Sequence, residues 1–132
     1  MRCLFDNQMS PRLARAINEM EGKNAIAVKH LREKFEPSIS DVEWMQRLAE
    51  EGDWFVVTKD NKIRERAYEM EIWEKSNLPI VFLPNDPWMK YKLWDTAWRL
   101  IKYWPALKEK ITDNKNNKSF ILTAGGDIKQ IL

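Results

Sequence analysis

The side chains best suited to chemistry in this sequence are carboxylates, and three of them stand where elements end or begin. Asp6 closes the short run Arg2 to Phe5 (RCLF), Asp60 follows the run Trp54 to Thr58 (WFVVT), and Asp41 stands at a predicted helix start, SDVE. If the two runs are neighbouring parallel strands, Asp6 and Asp60 share one carboxyl edge of a sheet, and the helix start at Asp41 could face the same edge. Carboxylates gathered within several ångströms repel by roughly 4 kcal/mol per close pair at an effective dielectric near 20, so such a group calls for a cation. Oxygen ligands without a His or Cys cluster select Mg²⁺ or Mn²⁺, hard ions that keep several waters for a phosphate-containing substrate.

Each of these acids also has an ordinary structural use. Asp41 favours the positive end of its helix and Glu43 completes a capping box with Ser40. Asp60 has the residue type and place of an N-cap. Asp6 has less of an alternative, because Ser10 already supplies the cap for the helix that follows it. Other chemistries lack parts. His30 is the only histidine, too few for a zinc cluster or a His-paired nucleophile, and a structural role suits it better. Cys3 lies inside an apolar run, where burial raises a thiol's pKa. No glycine-rich phosphate loop follows the first run, since FDNQMSPRL has no Gly.

The elements that must position the acids follow from the apolar pattern. With 132 residues, 44% of them hydrophobic and 32% charged, the chain suits one globular domain over 1–132. Arg2 to Phe5 reads as a first strand, and Ser10-Pro11 starts a helix through Leu13, Ile17 and Met20 that stops near Gly22. Ala25 to Leu31 is a second strand, REKFEPSIS a loop, and Ser40 the start of a helix burying Trp44, Met45 and Leu48 and ending at Gly52. Trp54 to Thr58 is a third strand, continuous enough to be buried on both faces. A charged helical stretch from Asp60, with Ile63, Tyr68, Ile72 and Trp73 as sparse apolar positions, belongs on the surface. Leu78 to Leu83 is a fourth strand. Residues 88–132 then form an extension: a long helix from about Trp88 to Ile111 with a kink or break at Trp104-Pro105, a polar turn from Asp113 to Lys118, and a last strand from Ser119 to Thr123. The stripe Trp94, Ala97, Trp98 and Ile101 on that helix is expected to pack on the chain's own sheet, with dimerisation through another surface equally open. Strands alternating with helices predict an α/β fold with a mainly parallel central sheet and helices on both faces. Such sheets bind ligands beyond the carboxyl ends of their strands, where the strand order reverses.

In this order, FDNQMSPRLARAI, KHLREKF and SDVEWMQRLAEEGDWFVVTKDNKI resemble the PIN-like family of short bacterial and archaeal proteins grouped with VapC-type toxins. The resemblance runs from Arg2 to about Leu83. It implies a three-layer α/β/α sandwich, and a ribonuclease toxin that cuts RNA with Mg²⁺ or Mn²⁺ while an antitoxin holds it in check. Carried over, Asp6, Asp41 and Asp60 resemble the family's metal-binding carboxylates and Thr58 its threonine in the T-x-D stretch. The remaining family acid falls on Glu33, or Glu36, in a segment that departs from the pattern. That departure leaves a non-catalytic RNA- or protein-binding module as the alternative.

Asn7 beside Asp6, Arg12, Arg32, Thr58 and Lys59 are the residues expected to hold substrate, with Arg64 and Arg66 further basic candidates near the carboxylates. A net charge of +2 argues against a protein that coats duplexes. A small-molecule phosphatase would use the same metal chemistry and is a third reading. Seven tryptophans raise base stacking, although Trp94 and Trp98, four residues apart, fit a core or an oligomer contact better. The lone cysteine, the absence of a signal-like start and the lack of a roughly 20-residue apolar run imply a cytoplasmic protein without a membrane span.

Overall fold

A computed structural model describes residues 1–23, 26–113 and 117–131 of the chain. Ala25, the expected start of the second strand, and residues 114–116 of the polar turn lie outside the described residues. Six strands form one sheet in the order β2-β1-β3-β4-β5-β6: β1 (Arg2–Phe5), β2 (Ala27–His30), β3 (Trp54–Thr58), β4 (Ile80–Phe82), β5 (Phe120–Leu122) and β6 (Ile128–Gln130). The first five run parallel, and β6 returns antiparallel to β5. The expected fold class, an α/β sandwich with a mainly parallel sheet, is the one observed. The β5–β6 hairpin is the addition, since only its first strand was legible.

Helices α1 (Pro11–Glu21) and α5 (Leu93–Thr112) cover one face of the sheet. Helices α3 (Asp41–Glu51) and α4 (Ala67–Ser76) cover the other. The two faces separate residue by residue, as the period of two in a strand requires: Cys3, Phe5, Phe55 and Val57 join the α1/α5 core, and Leu4, Trp54 and Val56 join the α3/α4 core. The chain runs from β1 outward to β2 and then back across to β3, so the strand order reverses between β1 and β3.

Four local expectations are corrected. The REKFEPSIS loop begins as a four-residue helix, α2 (Leu31–Lys34), because His30 and Glu33 cap it reciprocally. The stretch after Asp60 is two elements, a 3-10 turn at Asn61–Arg64 and then α4, separated by the extended backbone of Arg66. Apart from Ala97, which packs partly against the α1/α5 core, the Trp94 stripe does not pack on the sheet. Trp94 is 84% and Trp98 52% exposed, and Ile101 is exposed as well. The inward face of α5 is Thr96, Leu100, Trp104, Leu107 and Ile111, spaced by four, four, three and four. At about 100° per residue, a stripe two positions out of step with it points away. Trp104 carries the burial instead, edge-on to Phe5 at 6.1 Å, with its Nε1–H donating to Glu21 at 2.6 Å. The helix continues through Pro105 rather than breaking there. Tyr103 on the same helix lies against Gly126 in the β5–β6 turn, where an added Cβ would stand 2.6 Å from the ring, so the hairpin needs a glycine. Among the described residues no helix is long and apolar enough to cross a membrane.

Candidate functional site

The register of β1 with β3 sets the site. Phe5 pairs with Val57, so the next residues out, Asp6 and Thr58, stand side by side beyond the carboxyl edge at the point where the strand order reverses. Both follow the alternation onto the α3/α4 face. Asp6 is 5% exposed. One carboxylate oxygen accepts the Thr58 hydroxyl, and the other accepts the Gln8 backbone N–H at 3.1 Å. Burial raises the Asp6 carboxyl from 3.8 to about 7; those two hydrogen bonds oppose the rise, and the charges of Asp60 and Asp41 add to it.

Asp60 and Asp41 meet at Arg66. The guanidinium lies 3.6 Å from Asp60, 3.3 Å from Asp41 and 2.9 Å from Glu69 in the first turn of α4. The structural uses foreseen for these acids are also present. Asp60 accepts the Lys62 N–H at 3.0 Å as the cap of its 3-10 turn, and Asp41 stands in the first turn of α3, where, beyond the foreseen use, it also accepts Trp44 Nε1–H at 3.0 Å. Beside them Asp60, Asn61, Lys62, Glu65 and Arg66 line an open cleft of about 320 Å³.

The other expected residues are placed as follows. Glu33 caps α2 by accepting the His30 N–H at 3.1 Å, and the carboxylates whose charges act on Asp6 do not include it. Glu36 is exposed and 3.8 Å from Arg47. Asn7, Arg12 and Arg32 are exposed, and Arg64 lies over the Phe82 ring. Thr58 is fully buried and relays between two parts of the site, since its hydroxyl oxygen also accepts the Asp60 N–H at 2.8 Å. Lys59 points to the opposite face, where it is 9% exposed and donates to Thr96 at 2.8 Å; burial holds its ammonium below the usual lysine range.

Sequence reading missed two positioning residues, Asn61 and Glu69, and gave His30 a structural role without its partners. His30, fully buried, donates from Nε2 to the Met9 carbonyl at 2.8 Å while Nδ1 accepts the Arg32 N–H, which fixes the loop that carries Asp6. Burial lowers its pKa, so it serves as a neutral brace. Asn61 donates to the carbonyls of Lys59 and Leu83 and ties the loops after β3 and β4 together. Glu69 shares Arg66 with the acids. A lone histidine and an Asn directly after an acid were the available signals, but neither names its partner.

A family model described as a PIN like domain matches residues 1–85. The chain belongs to the PIN-like domain family. The match ends just before α5, so the PIN-like segment holds β1 to β4 and all three aspartates, and the last two strands extend the same sheet beyond it. No curated protein and no solved structure matches the chain. Membership in the PIN-like family points to a nuclease-like or RNA-binding module.

In kind, the donors around Asp6 suit a hard divalent cation, being carboxylate oxygens with no nitrogen or sulfur ligand among them. In arrangement they fall short. Among the described residues no three His, Cys, Asp or Glu side chains converge as a metal cage, and the charge of Asp41 and Asp60 is met by Arg66.

Proposed function

We propose that this PIN-like protein is a metal-dependent endoribonuclease of the toxin type, cytoplasmic and restrained by an antitoxin protein, with Asp6 as its central carboxylate. One observation carries the reading: a nearly buried carboxyl at the reversal point of a parallel sheet, raised to about 7 and within the field of two further aspartates. Asp6, Asp60 and Asp41 would hold Mg²⁺ or Mn²⁺ once Arg66 withdraws from the two outer acids. When bound, the ion supplies an acidified water and charge neutralisation at the scissile phosphate. The chain's own contribution is to hold Asp6 through Thr58 and the Gln8 N–H, and to fix its loop through His30. Glu33 as a fourth acid would require α2 to surrender its cap.

Arg66 favours a second reading. A guanidinium already neutralising the outer acids suits a non-catalytic PIN-like module that binds RNA or protein. Calorimetric Mn²⁺ titration of the parent and Asp6→Asn, run beside a cleavage assay on a mixed RNA pool, separates the two. The enzyme reading expects binding and cleavage in the parent and loss of both in the variant, by at least about 100-fold in rate. A parent that binds RNA but neither Mn²⁺ nor cuts is the module. Expression in a bacterial host adds a check on the toxin assignment, since growth arrest by the parent and not by Asp60→Ala is the expected outcome.

A further inference from the structure

Lys59 lies between two residues devoted to the acidic site and turns away from it. The residue is only 9% exposed, yet the one hydrogen bond of its ammonium goes to a neutral hydroxyl, Thr96 Oγ1. A lysine has three donors and a full charge, and among the described residues no carboxylate lies within ion-pairing distance of this one. Burying a charge without a counter-charge is costly, so the position calls for an anion.

The space beside it has the right form. Lys59 and Thr96 line a half-open cavity of about 160 Å³ together with Gln8, Ser10, Tyr91 and Lys92. A single water needs only about 10 to 15 Å³ by the same kind of measure, so the cavity admits a tetrahedral oxyanion. Two helices begin at its rim, α1 with Ser10 as N-cap and α5 with Lys92 as N-cap. Ser10 caps α1 through the Arg12 N–H, but α5 has no side-chain cap. Its N-cap position, which usually holds Ser, Thr, Asp or Asn, holds a lysine at the end of the helix that is already positive. The acid in the first turn of α5, Asp95, is 3.7 Å from Arg99 and does not line the cavity. Buried ammonium, exposed ammonium and uncapped backbone donors therefore converge on a space to which no carboxylate of the described chain contributes a wall.

We propose that this cavity is an oxyanion site that receives a phosphate group, with Lys59 at its floor, Lys92 at its mouth and the first turn of α5 supplying backbone N–H donors. Tyr91, Lys92, Leu93 and Thr96 lie beyond the matched PIN-like segment, so the C-terminal extension completes the pocket. Gln8 lines both this cavity and the cleft at Asp60, and a polynucleotide crossing Gln8 would place neighbouring phosphates in each. That source of the phosphate rests on the ribonuclease reading; the oxyanion chemistry does not.

The test is an amide NMR titration with inorganic phosphate in chelator-treated buffer, so that neither metal nor cleavage enters. The site predicts saturable shifts of the Leu93, Trp94 and Asp95 amides, and Lys92→Gln, a change at an exposed residue, should weaken binding about tenfold with an unchanged melting temperature. Lys59→Met should abolish the shifts if it folds; the Lys92 variant decides the matter if it does not. No saturable shift in the parent, or equal affinity in Lys92→Gln, overturns the proposal even if the protein proves to be a nuclease. A short oligoribonucleotide then identifies the source: competition for the same amide shifts means a polynucleotide phosphate, and phosphate binding without competition means a free phosphate.

Discussion

Consecutive residues at the end of β3 have opposite charge and opposite fates. Asp60 turns to the α3/α4 face, where Arg66 meets it and its neighbour Asp41; Lys59 turns to the α1/α5 face, where it meets a hydroxyl and an open cavity. The acidic side is electrostatically answered from within the chain, and among the described residues the basic side is not. The alternation of a strand thus sorts two kinds of anion chemistry, carboxylates on one face and a receptor for an oxyanion on the other, within a few residues of each other.

If the two sides are held independently, loosening α5 should damage only the basic one. Trp104→Ala removes an aromatic packed between α5 and the sheet and should cost about 3 to 5 kcal/mol in denaturant unfolding. In folded protein it should weaken phosphate binding and leave Mn²⁺ affinity as it was; a parallel loss of both would mean that the faces are coupled. Trp94→Ala, at an exposed position, should shift stability by no more than about 0.5 kcal/mol.

The pH dependence addresses the acidic side alone. Asp6 is raised from 3.8 to about 7, so the folded state keeps a proton that the unfolded chain releases. Its stabilising contribution is complete below about pH 4 and is lost as pH rises through 7, with an upper size on the order of 4 kcal/mol. Asp6→Asn should therefore match the parent near pH 4 and exceed it at pH 8, as read from denaturant midpoints across that range. A gap that is the same at both ends would show that Asp6 does not titrate as a buried acid. Mn²⁺ affinity of the parent should move the other way and strengthen as pH rises through about 7, because the ion binds the carboxylate and not the acid.

The smallest effect sharpens the contrast most. Arg66→Gln removes the guanidinium shared by Asp41, Asp60 and Glu69, at an exposed position where little change in melting temperature is expected. If Arg66 occupies the place of a cation, Mn²⁺ should bind several-fold more tightly to the variant, while phosphate affinity on the opposite face stays unchanged. Weaker Mn²⁺ binding in Arg66→Gln would instead make the arginine a brace that holds the acids in place.

Much of this protein was determined by its sequence alone. The alternation of apolar runs and capped helical stretches specified the parallel sheet, because each run must be buried on two faces and each helix on one. It also placed Asp6 and Asp60 at one edge, since both are the first polar acids after strands that pair in parallel. Short-range caps at Ser10 and Ser40 were equally legible, because donor and acceptor lie within three residues of each other. What only the tertiary structure decided depends on partners distant in the chain. The inward face of α5 could not be chosen between two stripes, as both are apolar and only the sheet beneath says which is covered. Glu33 went to a cap and Arg66 to the acids for the same reason, since a charged side chain goes to whichever partner the fold brings within reach. The cavity at Lys59 was invisible for a stronger one: its walls come from the loop after β1, the end of β3 and the start of α5, and no spacing within any one of them encodes the space between them.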